Sequence, residues 1–374
     1  MKVVTGKINK TRITGNGLAD TISRLVPIKN RISELNRSDL KPTELKMVPL
    51  TVEIQLMQNI CNAKCSFCFG QEENKPKLIA DPRMVASFIQ EASDAGVSQI
   101  DFSAENSEPL LHKDFDIFAK LVESNKMKLG LFTNGIRLND QKIRLLTGLE
   151  NGLGNYMVIN LSASDAETYK KIYQVDQFNT VVKNVKRLTD EKILKNSDLE
   201  VDINYTLQNL NSTEEKINNA INMVQKLNIN YFRITFPFPK LYVDDEKGAF
   251  NLPKSSIEKI REVVEYSPIK EKILFRDPND VTGYVPNGYC WAQFMSGCLD
   301  PLGNLNICIR TYNSKNGSNG ICLGLYSPGN LSQLWNSEIK DLKVDNLCTH
   351  CAPGDAWFNK NINEILLTVR KTEK

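Results

Sequence analysis

The chain reads as an α/β protein: a partial (β/α)6 barrel of the TIM-like type, followed by a small cysteine-rich domain. Two observations carry this reading. From residue 50 onward, six β-type segments alternate with amphipathic helical segments, the order that builds a parallel sheet. After about residue 277 the alternation stops. Gly, Pro and Asn accumulate there, and six of the nine cysteines fall between 290 and 351. The expected organisation is an N-terminal extension (1–48), the barrel (49–252), a connecting helix and strand (253–289), the cysteine-rich domain (290–358) and a C-terminal tail (359–374).

The elements follow in order. Residues 1–48 are a basic lead-in with a short helix expected at 31–40. Strands are expected at 51–57, 98–103, 128–133, 155–161, 199–206 and 230–235. Between them, 82–95 carries Met84, Val85, Phe88, Ile89 and Ala92 at helical spacing, and 113–124, 180–189 and 212–227 repeat that period. Ser212-Thr-Glu-Glu is a capping signal for the last of these. A helix at 254–266 and a strand at 272–276 close the regular part. Pro301-Leu-Gly303-Asn304 reads as a hairpin turn between strands at 295–299 and 305–309, and Gly329 to Asn336 as a short returning helix.

Composition narrows the function classes. With 374 residues there is room for one large and one small domain. A net charge of +3 gives no bulk attraction to nucleic acid. No signal-peptide core and no run of 18 apolar residues is visible, so a cytoplasmic protein with no membrane partner is expected. Nine cysteines in clustered spacings, without a secretion signal, point to metal ligation in a reducing compartment and not to disulfides.

The most informative stretch is Cys61-Asn-Ala-Lys-Cys65-Ser-Phe-Cys68, directly after the first strand. In barrels of this kind the site lies at the C-terminal ends of the strands. Three thiolates on a four-iron cubane leave one iron open for chemistry. The alternative is a structural zinc site, but zinc usually takes four protein ligands, and neither His112 nor His350 is near in sequence.

This C-x3-C-x2-C loop resembles the cluster loop of the radical S-adenosylmethionine (SAM) superfamily. The resemblance covers roughly residues 50–240. It implies a [4Fe-4S] cluster on Cys61, Cys65 and Cys68, whose open iron chelates SAM. It further implies reductive cleavage of SAM to methionine and a 5′-deoxyadenosyl radical, with a flavodoxin- or ferredoxin-like protein as reductant. Phe67 stands where the family places an aromatic beside adenine. Asn106-Ser107-Glu108-Pro109 resembles the family's Gly-Gly-Glu-Pro segment, with both glycines replaced, and makes Asn106, Ser107 and Glu108 candidate SAM contacts. A helix-start carboxylate is the other reading of Glu108. Phe132-Thr133-Asn134-Gly135 resembles the segment after the third strand and adds Asn134. In the family's register after strand four, Asn160 and Ser162 take the polar positions, while Ser164 or Asp165 is a candidate cap of the next helix. Arg233 is placed to edge the adenine or reach the substrate.

The later cysteines resemble a twitch domain, the shortened relative of the SPASM domain. The likeness implies one auxiliary [4Fe-4S] cluster on Cys290, Cys308, Cys348 and Cys351, with a zinc ribbon as the alternative. Cys298 and Cys322 are left over, as buried small hydrophobes or as part of a second cluster. Full ligation suits electron transfer. Among twitch enzymes such as 2-deoxy-scyllo-inosamine dehydrogenase, the pattern accompanies two-electron oxidation of a carbinol. The expectation is therefore oxidation of a sugar, cyclitol or related small molecule. Arg276 is a possible substrate anchor or a surface arginine paired with Asp277. The competing expectation is maturation of a ribosomal peptide by thioether formation, epimerisation or crosslinking. About 48 residues before the first strand are few for a leader-recognition domain, which favours the small molecule. A non-enzymatic iron–sulfur electron carrier is the reading from another class.

Overall fold

The computed structural model describes residues 49–68, 76–103, 107–236, 252–275, 296–307 and 322–337. Asn106, Arg276, Cys290, Cys308, Cys348, Cys351 and the helix expected at 31–40 lie outside these residues.

The sheet begins with β1 (Thr51–Gln55), whose continuation β2 (Met57–Gln58) pairs with the short β3 (Leu78–Ile79). Then come α1 (Pro82–Asp94), β4 (Gln99–Ser103), α2 (Phe115–Ser124) and β5 (Lys128–Thr133). These are followed by α3 (Asp140–Leu146), β6 (Tyr156–Asn160), α4 (Ala166–Tyr173) and α5 (Phe178–Leu194). Next are β7 (Glu200–Thr206), α6 (Glu214–Lys226), β8 (Tyr231–Thr235), α7 (Lys254–Glu265) and β9 (Ile273–Phe275). The last elements are β10 (Ser296–Leu299), β11 (Asn304–Asn306), β12 (Cys322–Leu325) and α8 (Leu331–Ser337).

All strands but β2 and β3 join one ten-stranded sheet in the order β12-β11-β10-β1-β4-β5-β6-β7-β8-β9. Pairing is parallel from β10 through β1 to β9, and antiparallel only in the β10-β11-β12 meander. This is the α/β architecture of the expected partial barrel. The expected hairpin forms as β10 and β11, and it extends the sheet at the β1 edge.

Side-chain alternation separates two environments. Ile54, Phe102, Leu131, Met157, Ile203 and Phe232 are fully buried on the helix-facing side, against residues such as Phe88, Phe118 and Val185. The other side of the strands is polar and carries its own hydrogen bonds. Tyr156 Oη donates to Asp101 at 2.9 Å, and Ser103 bonds Glu53. Asn204 Nδ2 donates to Asn160 Oδ1 at 3.0 Å, and Thr235 Oγ1 donates to Asn204 Oδ1 at 3.0 Å. Gly130 is obligatory here: a Cβ on it would stand 2.0 Å from Asp101 Oδ1 and 2.6 Å from Tyr156.

The deepest charged pair on this face is Asp202–Arg233. Arg233 Nε donates to Asp202 Oδ2 at 2.7 Å, and the Asp202 side chain is fully buried. Burial lifts the Asp202 carboxyl to about 6, even though Arg233 pulls it down. A carboxyl raised on folding stabilises the fold when protonated, so its contribution is present at low pH and fades as pH rises from about 3.8 to about 6. Wild-type stability measured against Asp202→Asn is therefore expected to fall by up to ~3 kcal/mol across that window. Urea midpoints at several pH values check this, and a pH-independent difference would contradict it.

Besides the β1–β10 pairing and the Phe88–Tyr326 ring contact, a carboxylate ties the C-terminal elements to the barrel. Glu91 on α1 accepts from Tyr326 Oη at 2.7 Å, Gly329 N at 2.5 Å and, more weakly, Leu331 N at 3.4 Å. Glu91→Ala is expected to cost about 1–3 kcal/mol and to speed hydrogen exchange in 322–335 ahead of the barrel strands.

Candidate active site

The loop Cys61–Cys68 leaves the C-terminal end of β2 and turns across the top of the sheet. Two neighbouring segments hold it. On one side, Ile60 forms a parallel bridge with Ser107, Glu108 N donates to Ile60 O at 3.1 Å, and Ser107 Oγ donates to Met57 O at 2.8 Å. On the other, Lys64 N donates to Tyr173 O at 3.0 Å and Ser66 N to Ile172 O at 2.8 Å. Cys65, between those two donors, is thereby seated on the last turn of α4. Ser66 Oγ adds a bond to Gln208 Oε1 at 2.7 Å. The three thiols are half-buried.

Glu108 is the hub beneath the loop. It caps the turn Pro109–Leu111, accepting from Leu110 N at 3.1 Å. It also accepts from Thr133 Oγ1 at 2.6 Å and Asn134 N at 2.8 Å. Glu108 is a helix-start carboxylate, the second of the two readings, and its backbone borders the cysteine loop. Burial raises its carboxyl above the ordinary range, and the Asn134, Thr133 and Leu110 donors oppose the rise. Asn134 in turn reaches the loop, donating from Nδ2 to Asn62 Oδ1 at 2.7 Å and to Cys61 Sγ at 3.8 Å. Gly135, at φ +76°, makes the turn that returns the chain beneath this contact.

The remaining predicted residues take distinct places. Phe67 packs its ring edge-on to Tyr173, with centroids 5.7 Å apart. Asn160 is partly exposed at the end of β6 and bonded to Asn204. Ser162 is fully buried: its Oγ accepts from Thr206 N at 2.9 Å and shares a bond with Tyr173 Oη at 3.2 Å. That hydroxyl is committed to the protein and does not open onto the loop. Asp165 caps α4 through Thr168 N at 2.8 Å, the helix-cap role weighed for it. Arg233 is held by Asp202, deeper along the strands. Cys298 is fully buried in β10, as a small hydrophobe would be, whereas Cys322 is exposed on β12.

The donor set fits an anionic iron–sulfur cluster. As bare thiols these groups resist ionisation: burial, then Glu108 and Cys68, push Cys61 up to about 11, and burial with Cys68 and Cys61 drives Cys65 well above the ordinary thiol value. A bound cationic centre reverses that balance and takes the thiolates. Asn62 Nδ2, within the loop, and Gln208 Nε2, whose oxygen accepts from Ser66 of the loop, are buried donors without a partner among the described residues. Thiolates and sulfides are the acceptors such donors lack. Among the described residues no three cysteine, histidine or carboxylate side chains converge on a single ion. A cubane needs no such convergence, because each thiolate takes its own iron.

Residues 56–208 match the family model of the radical SAM superfamily. The match takes in the cysteine loop, and the superfamily's description names SAM. A probable GTP 3′,8-cyclase of Saccharolobus islandicus (strain M.14.25 / Kamchatka #1) is 26% identical over 266 residues, spanning 68% of this chain and 80% of that protein. A GTP 3′,8-cyclase of Campylobacter jejuni (strain RM1221) is 30% identical over 161 residues, 41% of this chain and 46% of that one. The solved structure of Streptococcus suis SuiB bound to S-adenosylmethionine superposes with a TM-score of 0.60 at 16% identity, covering 90% of this chain and 77% of SuiB. That likeness speaks to the fold alone. Among the described residues no helix is long and apolar enough to cross a membrane.

Sequence reasoning missed Asn204, Thr206, Gln208 and the aromatic pair Tyr169 and Tyr173. The one available signal was Tyr-x3-Tyr in a helix directly after the fourth strand, which puts both rings on one helix face.

Proposed function

We propose that this protein is a radical SAM enzyme that oxidises a small polar molecule, a sugar, cyclitol or nucleotide derivative. The observation that carries the reading is the cysteine loop at the strand ends, where the buried Asn62 and Gln208 carboxamide nitrogens have no acceptor among the described residues. Cys61, Cys65 and Cys68 hold the SAM-binding cluster, and Cys290, Cys308, Cys348 and Cys351 the auxiliary one. When bound, these groups supply the electron that splits SAM and accept the electron that leaves the substrate. The protein's residues do the rest. Phe67 and Tyr173 wall the loop with apolar surface. Asn134 orients the Cys61 side, and the Glu108 backbone fixes the neighbouring edge. Asn160, Asn204, Thr206 and Thr235 present carboxamides and hydroxyls at the strand ends, suited to a hydroxyl-rich substrate.

The relatives at 26% identity act in the same direction, since their name gives a nucleotide as substrate. It also favours a second reading, cyclisation of a purine nucleotide. A flavodoxin- or ferredoxin-like reductant completes the proposal.

The test is anaerobic incubation of reconstituted protein with dithionite and SAM, followed by a substrate panel of GTP, cyclitols and peptides. 5′-Deoxyadenosine is expected, with deuterium transferred into it from a labelled small-molecule substrate. Consumption of GTP alone would select the cyclase reading. Inert SAM under strong reductant would return the electron-carrier reading.

A further inference from the structure

Two tyrosines stack on the face of α4 that supports the cysteine loop. Tyr169 and Tyr173 lie 4.3 Å apart and nearly parallel, at 15°. Both are fully buried. Tyr173 is satisfied: its hydroxyl accepts from Ser162 N at 2.8 Å and pairs with Ser162 Oγ. The hydroxyl of Tyr169 is buried and has no partner among the described residues. Such a group costs roughly 1–3 kcal/mol, and native proteins rarely carry it without a reason.

The surroundings supply the reason. Tyr169 belongs to the packed core on which Cys61, Cys65 and Phe67 rest. The last turn of its helix receives the backbone donors on either side of Cys65. Burial above all, with Cys65, Cys61 and Glu108 adding to it, opposes loss of its proton. It is a buried donor without a partner among the described residues, on the helix that seats Cys65.

We infer that Tyr169 donates its phenolic hydrogen bond to sulfur on the Cys65 side of the bound cluster and thereby raises that cluster's reduction potential. The inference rests on the cluster reading above. A hydrogen bond to thiolate or sulfide withdraws negative charge, and the reduced state carries one charge more, so the bond favours reduction. Tyr169 is thus a positioning and tuning residue and not a group that touches substrate. Asn134 plays the matching part at Cys61.

The experiment is an EPR-monitored redox titration of the reconstituted full chain, wild type against Tyr169→Phe, which keeps the stacked ring. The SAM-binding cluster is identified as the signal that SAM perturbs. Tyr169→Phe is expected to shift the reduced-to-oxidised ratio about tenfold against reduction, about 59 mV for one electron. In wild-type protein exchanged into D2O, ENDOR is expected to show a deuteron coupling that Tyr169→Phe lacks. If that variant fails to hold iron, site-specific 3-fluorotyrosine at 169, a stronger donor, is expected to move the midpoint the other way. An unchanged midpoint in either variant with an intact cluster, or an unchanged deuteron coupling, would overturn the inference alone. Absence of a SAM-perturbed cluster in wild type would instead overturn the proposed function.

Discussion

Cys65→Ala is expected to abolish 5′-deoxyadenosine formation, with Cys61→Ala and Cys68→Ala doing the same. The argument is one of count. Three thiolates are the minimum that keeps a cubane in place while leaving one iron for SAM, so two cannot do the work of three. Cys65 is the most sensitive position. It is seated on α4 by bonds at Lys64 and Ser66, so its side chain has no freedom to be replaced by a neighbour or solvent. Chromatographic detection of 5′-deoxyadenosine after anaerobic reduction is the measurement. Any variant that retains wild-type cleavage would show that the cluster sits elsewhere. The overall fold should survive all three changes, because the barrel core lies below the loop, on the helix-facing side of the sheet.

The second large effect is structural. Glu108→Ala removes the common acceptor of Leu110 N, Thr133 Oγ1 and Asn134 N. Each buried donor left unpaired costs about 1–3 kcal/mol, so a loss of at least about 3 kcal/mol is expected. Glu108→Gln is expected to fall between, since its oxygen can serve two donors while its NH2 group must confront the third. Weaker SAM binding should accompany both, because Asn134 loses its anchor and the contact to Cys61 with it. Urea denaturation and equilibrium binding of SAM check the two halves separately. Lost binding with full stability would mean that Glu108 meets SAM directly. Unchanged values in both would remove it from the site.

How much of this was legible in the sequence depends on the range of the interaction. The barrel strands were legible because alternate residues such as Val201, Ile203 and Tyr205 face the helices and must be apolar. The helix α3 escaped because seven residues hold too few turns to display a period, and α4 was legible only through its cap at Asp165. The expected strand at 51–57 broke at Leu56, where the chain passes from β1 to the pairing with β3. The cysteine loop was legible because its ligands are local in sequence. The partners of its neighbours are not. Glu108 meets Thr133 and Asn134 only because β4 and β5 lie side by side, and Arg233 meets Asp202 for the same reason on β7 and β8. Ser162 shows the opposite error: a polar residue in the expected register turns inward, because Thr206 N on the next strand needs an acceptor.

The measurement that tests the central claim most directly is iron and sulfide per chain after anaerobic reconstitution, in wild type and in the Cys61/Cys65/Cys68→Ala triple variant. About eight irons falling to about four is the predicted result, one SAM-binding cluster and one auxiliary cluster. About four falling to none would contradict the auxiliary cluster and remove the electron acceptor from the oxidative reading. Iron content indifferent to the triple substitution would contradict the assignment of the active site itself.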